Sequence, residues 1–337
     1  DYEAGAYESK SSPYHSFFQF HDDSDGAWPY NRTYDGWWGH DTLPKLNYEN
    51  SEKLVEYILN VARKWVSPPY SIDGWRLDVA ADLGHTAEYN HEFWRRFRQA
   101  VKEANPEALI LAEHYGDPAS WLEGDQWDSI MNYDAFMEPV TWFLTGMEKH
   151  SDSYNGGIWG DGEAFFNAMG YHMSRMQTNT VMTAMNQLSN HDHSRFLTRT
   201  NQMVGRIQTA GPEKAGQNIK PCVFREAVVI QMTWPGAPTL YYGDEAGVCG
   251  WTDPDSRRTY PWGKEDLELI EFHRYMTGIH RKIPAFRKGA VKPLLAGYQK
   301  IAYGRMYGKY QAVVVISNSP DSQTMDIPVW QLGVTDD

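Results

Sequence analysis

The chain of 337 residues carries a net charge of −13 at pH 7, and 41% of its residues are hydrophobic. That length suits a barrel-sized domain with an appendage, and the hydrophobic content suffices for a packed core. The acidic charge, without a run of Lys and Arg, argues against nucleic acid or an anionic membrane surface as a partner. No apolar run approaches the roughly 20 residues that a transmembrane helix needs, and two cysteines are too few for a disulfide scaffold.

After a loop-like start at residues 1–48, helices and strands are predicted in alternation. Helical spacing of apolar residues, with capping and proline signals, predicts helices at 51–66, near 90–104, in stretches through 135–176, and around 223–234. Strands are predicted around Arg76 and Asp78 and at 108–113, 127–132, 181–189 and 237–243. Such alternation indicates parallel βα units and therefore an α/β fold.

The chain changes character from about Phe286. Residues 300–319 are typical of a hairpin that turns near Gly308, and MDIPVW at 325–330 predicts another strand. A small β domain is therefore expected after the α/β part.

Arg76 and Asp78 stand two residues apart in one strand, so both side chains lie on the same face. In a parallel α/β barrel, the inner face near the carboxyl end of a strand opens into the active site. A positive charge beside a carboxylate favours its ionised form, and an ionised, immobilised carboxylate can attack a sugar carbon. A buried structural ion pair is an equally good interpretation of this strand alone.

Two further acidic positions close predicted strands. Glu113 ends an apolar strand, where it suits a general acid, although a glutamate at a helix entry is the alternative. Asp192 follows His191 as another strand finishes, and His193 on its other side raises the alternative of a metal site. Two histidines and one carboxylate make a poor ligand set without a remote donor. Retaining glycosidases need two carboxyl groups about 5–5.5 Å apart, which such strand ends can provide.

Five ordered segments resemble motifs of the α-amylase superfamily, glycoside hydrolase family 13: LPKLN (43–47), GWRLDVA (74–80), LILAEHYGD (109–117), LSNHDHSRF (188–196) and GAPTLYYGDE (236–245). ASWLEGDQWDSIMNY (119–133) and DPDSRRTYPW (253–262) look most like neopullulanases, cyclomaltodextrinases and amylopullulanases. The resemblance implies Asp78 as nucleophile with Arg76 as its partner, and Glu113 as general acid/base. It implies Asp192 as transition-state stabiliser and His191 as a ligand of a sugar hydroxyl.

The implied fold is a (β/α)8 TIM barrel, represented by roughly strands four to eight. Residues 1–48 would be the remnant of the third-loop domain, 49–285 the partial barrel, and 286–337 the start of a β-sandwich domain of antiparallel strands. The family's Asp-x-x-x-Asn-His motif at the end of strand three is absent, so the chain is expected to be truncated at both ends.

Trp37 and Trp38, in YDGWWGH, are predicted stacking platforms for a sugar, with packing beneath their loop as the alternative. The 14 Trp and 21 Tyr residues of the chain suit a flat, hydroxylated ligand. Ala81 and Asp82 replace the Lys-His that many α-amylases carry after the nucleophile strand. The contacts on the leaving-group side are therefore not carried over from the family.

The resemblance implies a retaining hydrolase that cleaves α-1,4 and/or α-1,6 glucosidic bonds of starch, pullulan, maltodextrins or cyclodextrins by double displacement. An α-glucan transglycosylase and a non-catalytic homologue that binds carbohydrate or protein are the alternatives. No organic cofactor is implied, and family analogy allows a calcium ion with unidentified ligands. The expected partner is an α-glucan, with no nucleic acid and no membrane, while cytoplasmic or secreted location and oligomeric state stay open.

Overall fold

The computed structural model describes residues 4–334, which divide into two compact units. Within that range, the first unit comprises residues 4–114 and 120–128, and the second comprises residues 115–119 and 129–334. Within the described range, no helix has both the length and the apolar character needed to cross a membrane. The predicted division into three domains stays a prediction.

The first unit is built on one pair of parallel strands with two helices. Its elements are, in chain order, α1 (Glu52–Val66), β1 (Gly74–Leu77), α2 (Ala87–Ala104) and β2 (Leu109–Ala112). Short 3-10 helices occur at His15–Phe17, Asp25–Ala27, Trp37–Gly39 and Ala80–Asp82. The strands pair in parallel, with Gly74 opposite Leu109 and Leu77 opposite Ala112. This order of elements confirms the predicted βα units.

Local capping explains where the helices of the first unit begin. The Ser51 hydroxyl accepts a hydrogen bond from the Leu54 N–H, which satisfies an unpaired donor at the start of α1. The predicted helix at 51–66 is therefore confirmed. Helix α2 begins at Ala87, earlier than predicted, because the Thr86 hydroxyl caps it by accepting from the Tyr89 N–H.

The two faces of β1 have different roles. The indole N–H of Trp75 donates to the Ala62 carbonyl of α1 at 3.3 Å, and its ring packs edge-on against Phe97 of α2. Arg76 points to the opposite face, as strand alternation requires. The helices thus cover one face of β1 and leave the other to the charged residues.

The second unit contains the remaining βα elements and an antiparallel sheet. Its helices are α3 (Glu138–Thr145), α4 (Gly162–Met173), α5 (Thr178–Thr183), α6 (Phe196–Arg199), α7 (Ile207–Ala210), α8 (Pro221–Thr233), α9 (Leu267–Lys282) and α10 (Pro284–Lys288). Its strands are β3 (Ser129–Ile130), β4 (Met185–Gln187), β5 (Ala237–Thr239), β6 (Ala290–Gly297), β7 (Lys300–Tyr307) and β8 (Tyr310–Ser317). A π-helical turn covers Tyr133–Met137, and 3-10 helices cover Pro212–Gly216, Asp255–Arg257 and Val329–Leu332. Strands β4 and β5 pair in parallel, with Met185 opposite Ala237.

One strand prediction in this unit is wrong over part of its length, and another is wrong throughout. The predicted strand at 181–189 is helical up to Thr183, where the hydroxyl bonds back to the Asn179 carbonyl, and only 185–187 are extended. Such back-bonding lets a β-branched residue sit in a helical turn. The predicted strand at 325–330 is absent from the described residues, because Pro328 cannot donate to a ladder and a 3-10 helix follows it.

The C-terminal strands share one hydrophobic core with the helices of the second unit. Strands β6, β7 and β8 form an antiparallel sheet in sequential order, and the β7–β8 hairpin turns at Gly308, as predicted. The core joins sheet residues to helical ones, among them Ile301, Tyr303, Val314, Ile316, Phe224, Val228 and Phe286. Both cysteines are free.

Candidate active site

One arginine contacts both carboxylates that were predicted to act in catalysis. Arg76 forms an ion pair through Nη1 with Asp78, and its Nη2 lies 3.3 Å from Oε2 of Glu113. The Asp78 side chain, directly after β1, is 75% exposed, whereas the Glu113 side chain, directly after β2, is 9% exposed. The ends of two adjacent parallel strands therefore present one open and one buried carboxyl group around a single guanidinium, a group suited to binding carboxylates.

A backbone group that the sequence did not indicate completes this cluster. The Val79 N–H donates to Oε2 of Glu113 at 2.9 Å. Val79 adopts φ 44° and ψ 44°, a left-handed conformation that is strained for a β-branched residue. Strain of this kind is concentrated at functional sites, where surrounding contacts hold it in place. The turn after Asp78 thus aims a donor at Glu113.

Trp37 and Trp38 also lie in the first unit, in a turn held by Asp82. Both indole N–H groups donate to the same oxygen, Oδ2 of Asp82, each at 3.1 Å. Trp38 is 78% exposed, and the two rings meet edge to face with centroids 6.2 Å apart. A pocket of about 390 Å³ is lined by these residues together with Lys45 and His85. Asp82, which sequence reasoning treated only as a departure from the family, is part of this site.

In the second unit, His191 and Asp192 sit on a tight turn after β4. The Asn190 side-chain oxygen accepts from the N–H groups of Asp192 and His193, each at 3.0 Å, which fixes the turn. The His191 ring lies 3.3 Å from the Asp192 carboxylate. The structure therefore brings these two predicted residues together, and the placement of all three acids in one site stays a prediction.

The segment DPDSR (253–257), part of one of the recognised motifs, is hydrogen-bonded to this turn. The Ser256 hydroxyl and Nε of Arg257 donate to the His191 carbonyl at 2.7 and 3.1 Å. The guanidinium of Arg257 lies 3.6 Å from the Asp192 carboxylate. The Asp192 carbonyl in turn accepts from the Asp253 N–H at 3.2 Å. Arg257 is a site residue that sequence reasoning missed, because its contact spans 65 positions of the chain.

A buried ion pair fixes the other side of the same loop. Nη1 of Arg195 donates to Asp244 at 2.9 Å and to the Tyr242 carbonyl at 2.6 Å, and Nε donates to the Ser256 carbonyl at 2.9 Å. Burial raises the pKa of Asp244, although the charge of Arg195 opposes that rise. Several hydrogen bonds per guanidinium are what a buried pair needs to persist. The motif around 236–245 therefore supports the turn that carries Asp192.

His193 lies in a buried cluster of rings. It is fully buried, and its Nε2 lies 3.1 Å from the Tyr115 hydroxyl, next to the rings of Tyr133 and His150. Burial first, and then the positive charges of neighbouring groups, His150 foremost, together lower the pKa of His193 to about 2. His193 is therefore neutral across the physiological range.

A cluster of possible metal ligands adjoins His193 through the ring of His150, and its chemistry does not suit calcium. Ligand atoms of Glu148, His150 and Asp152 lie within 4.8 Å of one another. Arg206 pairs with Asp152, and Lys149 lies 3.6 Å from Glu148, so cations of the protein already compensate both carboxylates. Burial raises the pKa of Glu148, but the hydrogen bond and charge of His150 outweigh it and bring that pKa to about 2. Calcium takes six to eight oxygen ligands, which this cluster does not offer.

Comparison with known proteins agrees with the motifs. The family model "Alpha amylase, catalytic domain" matches residues 2–283. The chain is 36% identical over 295 residues to Neopullulanase 2 of Thermoactinomyces vulgaris, which covers 86% of this chain and 44% of that protein. It is 34% identical to the cyclomaltodextrinase of Thermoanaerobacter pseudethanolicus over 84% of this chain and 43% of that protein. The crystal structure of the debranching enzyme from Nostoc punctiforme superposes with a TM-score of 0.78 and 29% identity, covering 97% of this chain and 63% of that one.

These similarities confirm the predicted resemblance, including its neopullulanase and cyclomaltodextrinase character. They also confirm the fold class: the parallel βα units belong to a (β/α)8 barrel fold, and the antiparallel sheet fits a C-terminal β domain. The chain spans less than half the length of the two curated relatives and just under two thirds of the solved structure. By sequence, motif and fold, this chain belongs to the α-amylase family.

Proposed function

We propose that the protein containing this chain is a retaining glycoside hydrolase that cleaves α-1,4 or α-1,6 glucosidic bonds of starch-derived glucans, pullulan or cyclodextrins. The single observation that carries the proposal is the contact of Arg76 with both Asp78 and Glu113 at the ends of adjacent parallel strands. The relatives named neopullulanase, cyclomaltodextrinase and debranching enzyme support the substrate class.

Asp78 is assigned as the nucleophile. Its carboxylate is open to solvent, and therefore to a substrate, while Arg76 holds it from one side. Attack of this carboxylate on the anomeric carbon forms a glycosyl ester and breaks the bond to the leaving glycosidic oxygen. The fixed guanidinium limits the motion of the carboxylate before attack, which lowers the entropic cost of reaching the transition state.

Glu113 is assigned as the general acid/base. Its Oε2 is engaged by Arg76 and by the Val79 N–H, so we assign the transferred proton to Oε1. In the first step this proton goes to the leaving oxygen, and in the second step the same carboxylate takes a proton from water as the water attacks the ester. Two inversions at one carbon give net retention.

Asp192 and His191 are assigned to bind hydroxyl groups of the sugar under attack. The turn at Asn190 and the clamp by Arg257 hold both side chains in place. Such hydrogen bonds accelerate the reaction only to the extent that they strengthen in the transition state.

The test uses the parent protein with maltotriose and with α-maltosyl fluoride, whose leaving group needs no protonation. Asp78→Asn should lower kcat/KM for both substrates by several orders of magnitude, on the order of 10⁴. Glu113→Gln should lower turnover of maltotriose by about 10²–10⁴ but formation of the glycosyl-enzyme from the fluoride far less. The exposed residues Asp73 and Glu123 provide matched controls as Asp73→Asn and Glu123→Gln.

Anomeric configuration and product length complete the experiment. Proton NMR of the first-formed sugar should show the α anomer, as retention requires. Near-normal activity of Asp78→Asn, or equal losses of the two substrates in Glu113→Gln, would refute the assignments. Products longer than the substrate at early times would favour the transglycosylase instead, and binding without turnover would favour the non-catalytic homologue.

A further inference from the structure

Two neighbouring indole groups share one carboxylate oxygen in the first unit. Trp37 and Trp38 each donate their Nε1–H to Oδ2 of Asp82 at 3.1 Å, across 45 and 44 positions of the chain. Asp82 lies in the 3-10 helix directly after Asp78 and Val79. A charged acceptor makes each of these hydrogen bonds stronger than one between neutral groups. Both indoles are therefore tied to the turn that follows the assigned nucleophile.

The turn that carries the tryptophans is itself constrained. Trp38 adopts φ 50° and ψ 28°, a left-handed conformation that is an outlier for a bulky residue. At Gly36 an added Cβ would lie 2.2 Å from the His40 carbonyl oxygen, so only glycine fits this close approach. The turn is closed by the Trp37 N–H bonded to the Leu43 carbonyl at 2.8 Å and the His40 N–H bonded to the Trp37 carbonyl at 3.0 Å. Strain of this kind persists when surrounding contacts fix it, and it is typical of functional sites.

Two further residues that line the pocket, His85 and Thr86, are also fixed. One carboxylate oxygen of Glu49 accepts from the N–H groups of His85 and Thr86, each at 2.6 Å. The ring of His85 lies 3.3 Å from Asp35. The volume of the pocket is about 390 Å³, within the size range of small-molecule sites. Trp38 is 78% exposed although its turn is held in place, whereas a ring of this size is usually buried for the most part.

We propose that Asp82 is a positioning residue that orients the indoles of Trp37 and Trp38 as a platform on which a glucosyl ring of the substrate stacks. The inference rests on the proposed α-glucan hydrolase activity and adds to it a residue that acts through the two tryptophans. An indole ring that is held by its N–H keeps one orientation before the sugar binds. The entropic cost of fixing the ring therefore belongs to folding and does not weaken binding of the sugar. Asp82 thus contributes through geometry and not by contacting the sugar.

The kinetic test compares Asp82→Ala with Asp82→Asn in the parent protein. The asparagine retains a side-chain oxygen that accepts both indole N–H groups, and alanine retains none. Asp82→Ala should raise KM for maltohexaose about fivefold to tenfold, within the range for loss of one aromatic contact, while kcat changes about twofold or less. Asp82→Asn should restore most of the wild-type KM. Asp73→Ala removes an exposed aspartate just before β1 and is the matched control.

A double-mutant cycle separates positioning from direct contact with the sugar. If Asp82 acts through the platform, Asp82→Ala should have no further effect on KM in a background in which Trp37 and Trp38 are both replaced by alanine. A further rise in KM when Asp82→Ala is added to that background would mean that the carboxylate touches the substrate itself, and would overturn the inference. A KM for Asp82→Asn equal to that of Asp82→Ala would overturn it as well.

A spectroscopic measurement tests the inference without any substrate. Protein labelled with 5-fluorotryptophan should give one ¹⁹F resonance for each tryptophan. The resonances of Trp37 and Trp38 are identified by their absence in Trp37→Phe and Trp38→Phe. Asp82→Ala should shift or broaden these two resonances. The rest of the spectrum should stay unchanged, which would also show that the variant is folded. Asp82→Asn should preserve the resonances of Trp37 and Trp38. Unchanged resonances in Asp82→Ala would overturn the inference. Wild-type protein that shows the tied indoles but hydrolyses no glucan would refute the proposed function instead.

Discussion

His193 is expected to make the second unit sensitive to acid. The folded protein keeps this buried ring neutral with a pKa of about 2, whereas the unfolded chain binds a proton near the ordinary value of 6.5. The unfolded state therefore holds more protons below pH 6.5, so the stability due to His193 is present above that pH and is lost as the pH falls. Between pH 6.5 and 4.5 the loss approaches about 2.7 kcal/mol, because each pH unit contributes about 1.36 kcal/mol.

The surroundings of His193 set the direction of this effect. Besides burial, the charges of His150, Arg199 and Lys149 oppose protonation of the ring. Structural relaxation around the ring reduces the effect in practice, so we expect about 1–3 kcal/mol over that range. The contribution of Glu148 to the free energy of unfolding is also lost in acid, because its folded pKa of about 2 lies below the ordinary value. That loss is the same in a variant that lacks His193.

The assay is urea denaturation of wild type and His193→Asn at several pH values between 4.5 and 7.5, with the free energy of unfolding extrapolated to zero urea. The asparagine variant should be less stable at pH 7.5, because it loses the contact with Tyr115, but its stability should fall less steeply below pH 6.5. His40→Asn, at an exposed histidine, controls for the substitution itself. Parallel pH profiles for wild type and His193→Asn would refute the reasoning.

Two further predictions concern buried charged groups of the second unit. Burial raises the pKa of Glu226 on α8 to about 8. The contribution of this residue to stability is therefore present below the ordinary value of 4.5 and is lost as the pH rises through 8. In the same assay, Glu226→Gln should raise the free energy of unfolding by about 1–3 kcal/mol at pH 7.5 and should give no gain below pH 4.5. Arg305 is fully buried and donates to the carbonyls of Thr233, Phe286, Gly289 and Ala290. Arg305→Lys should lower the melting temperature and cost about 2–4 kcal/mol, because an ammonium cannot reproduce the planar set of donors, whereas Arg287→Lys at an exposed site should cost almost nothing. Equal melting temperatures for these two lysine variants would contradict this account.

The charged site residues could be predicted because strand alternation and strand ends are visible in a sequence. Arg76 and Asp78 share a face by their spacing alone, and Glu113 follows directly on an apolar strand. Helix α1 could be predicted for a similar reason, since periodicity and the Ser51 cap are local signals. These features depend on neighbours within a few positions.

The missed features depend on contacts between distant positions or on the backbone. The Val79 N–H is a backbone group, so the identity of the residue does not indicate its hydrogen bond to Glu113. The roles of Asp82 and Arg257 depend on partners about 45 and 65 positions away in the chain. Residues 181–183 belong to a helical turn at 178–183 but were predicted as part of the strand at 181–189. Val181 and Thr183 are β-branched and favour strands, while the hydroxyl bond that stabilises the turn is visible only in three dimensions.

The shared core of the second unit has a consequence for how this chain can be divided. The family match ends at residue 283, but buried side chains of the same core continue to Ile316, and the Tyr303 hydroxyl lies 2.5 Å from that of Thr233. The Asn318 amide also donates to the Leu144 carbonyl at 2.8 Å. A fragment cut at the family boundary would expose Trp234 and its apolar neighbours to water and would be prone to aggregate. Helices and sheet should therefore melt in a single calorimetric transition, and a protease that nicks the exposed turn at Gly308 should release no stable piece.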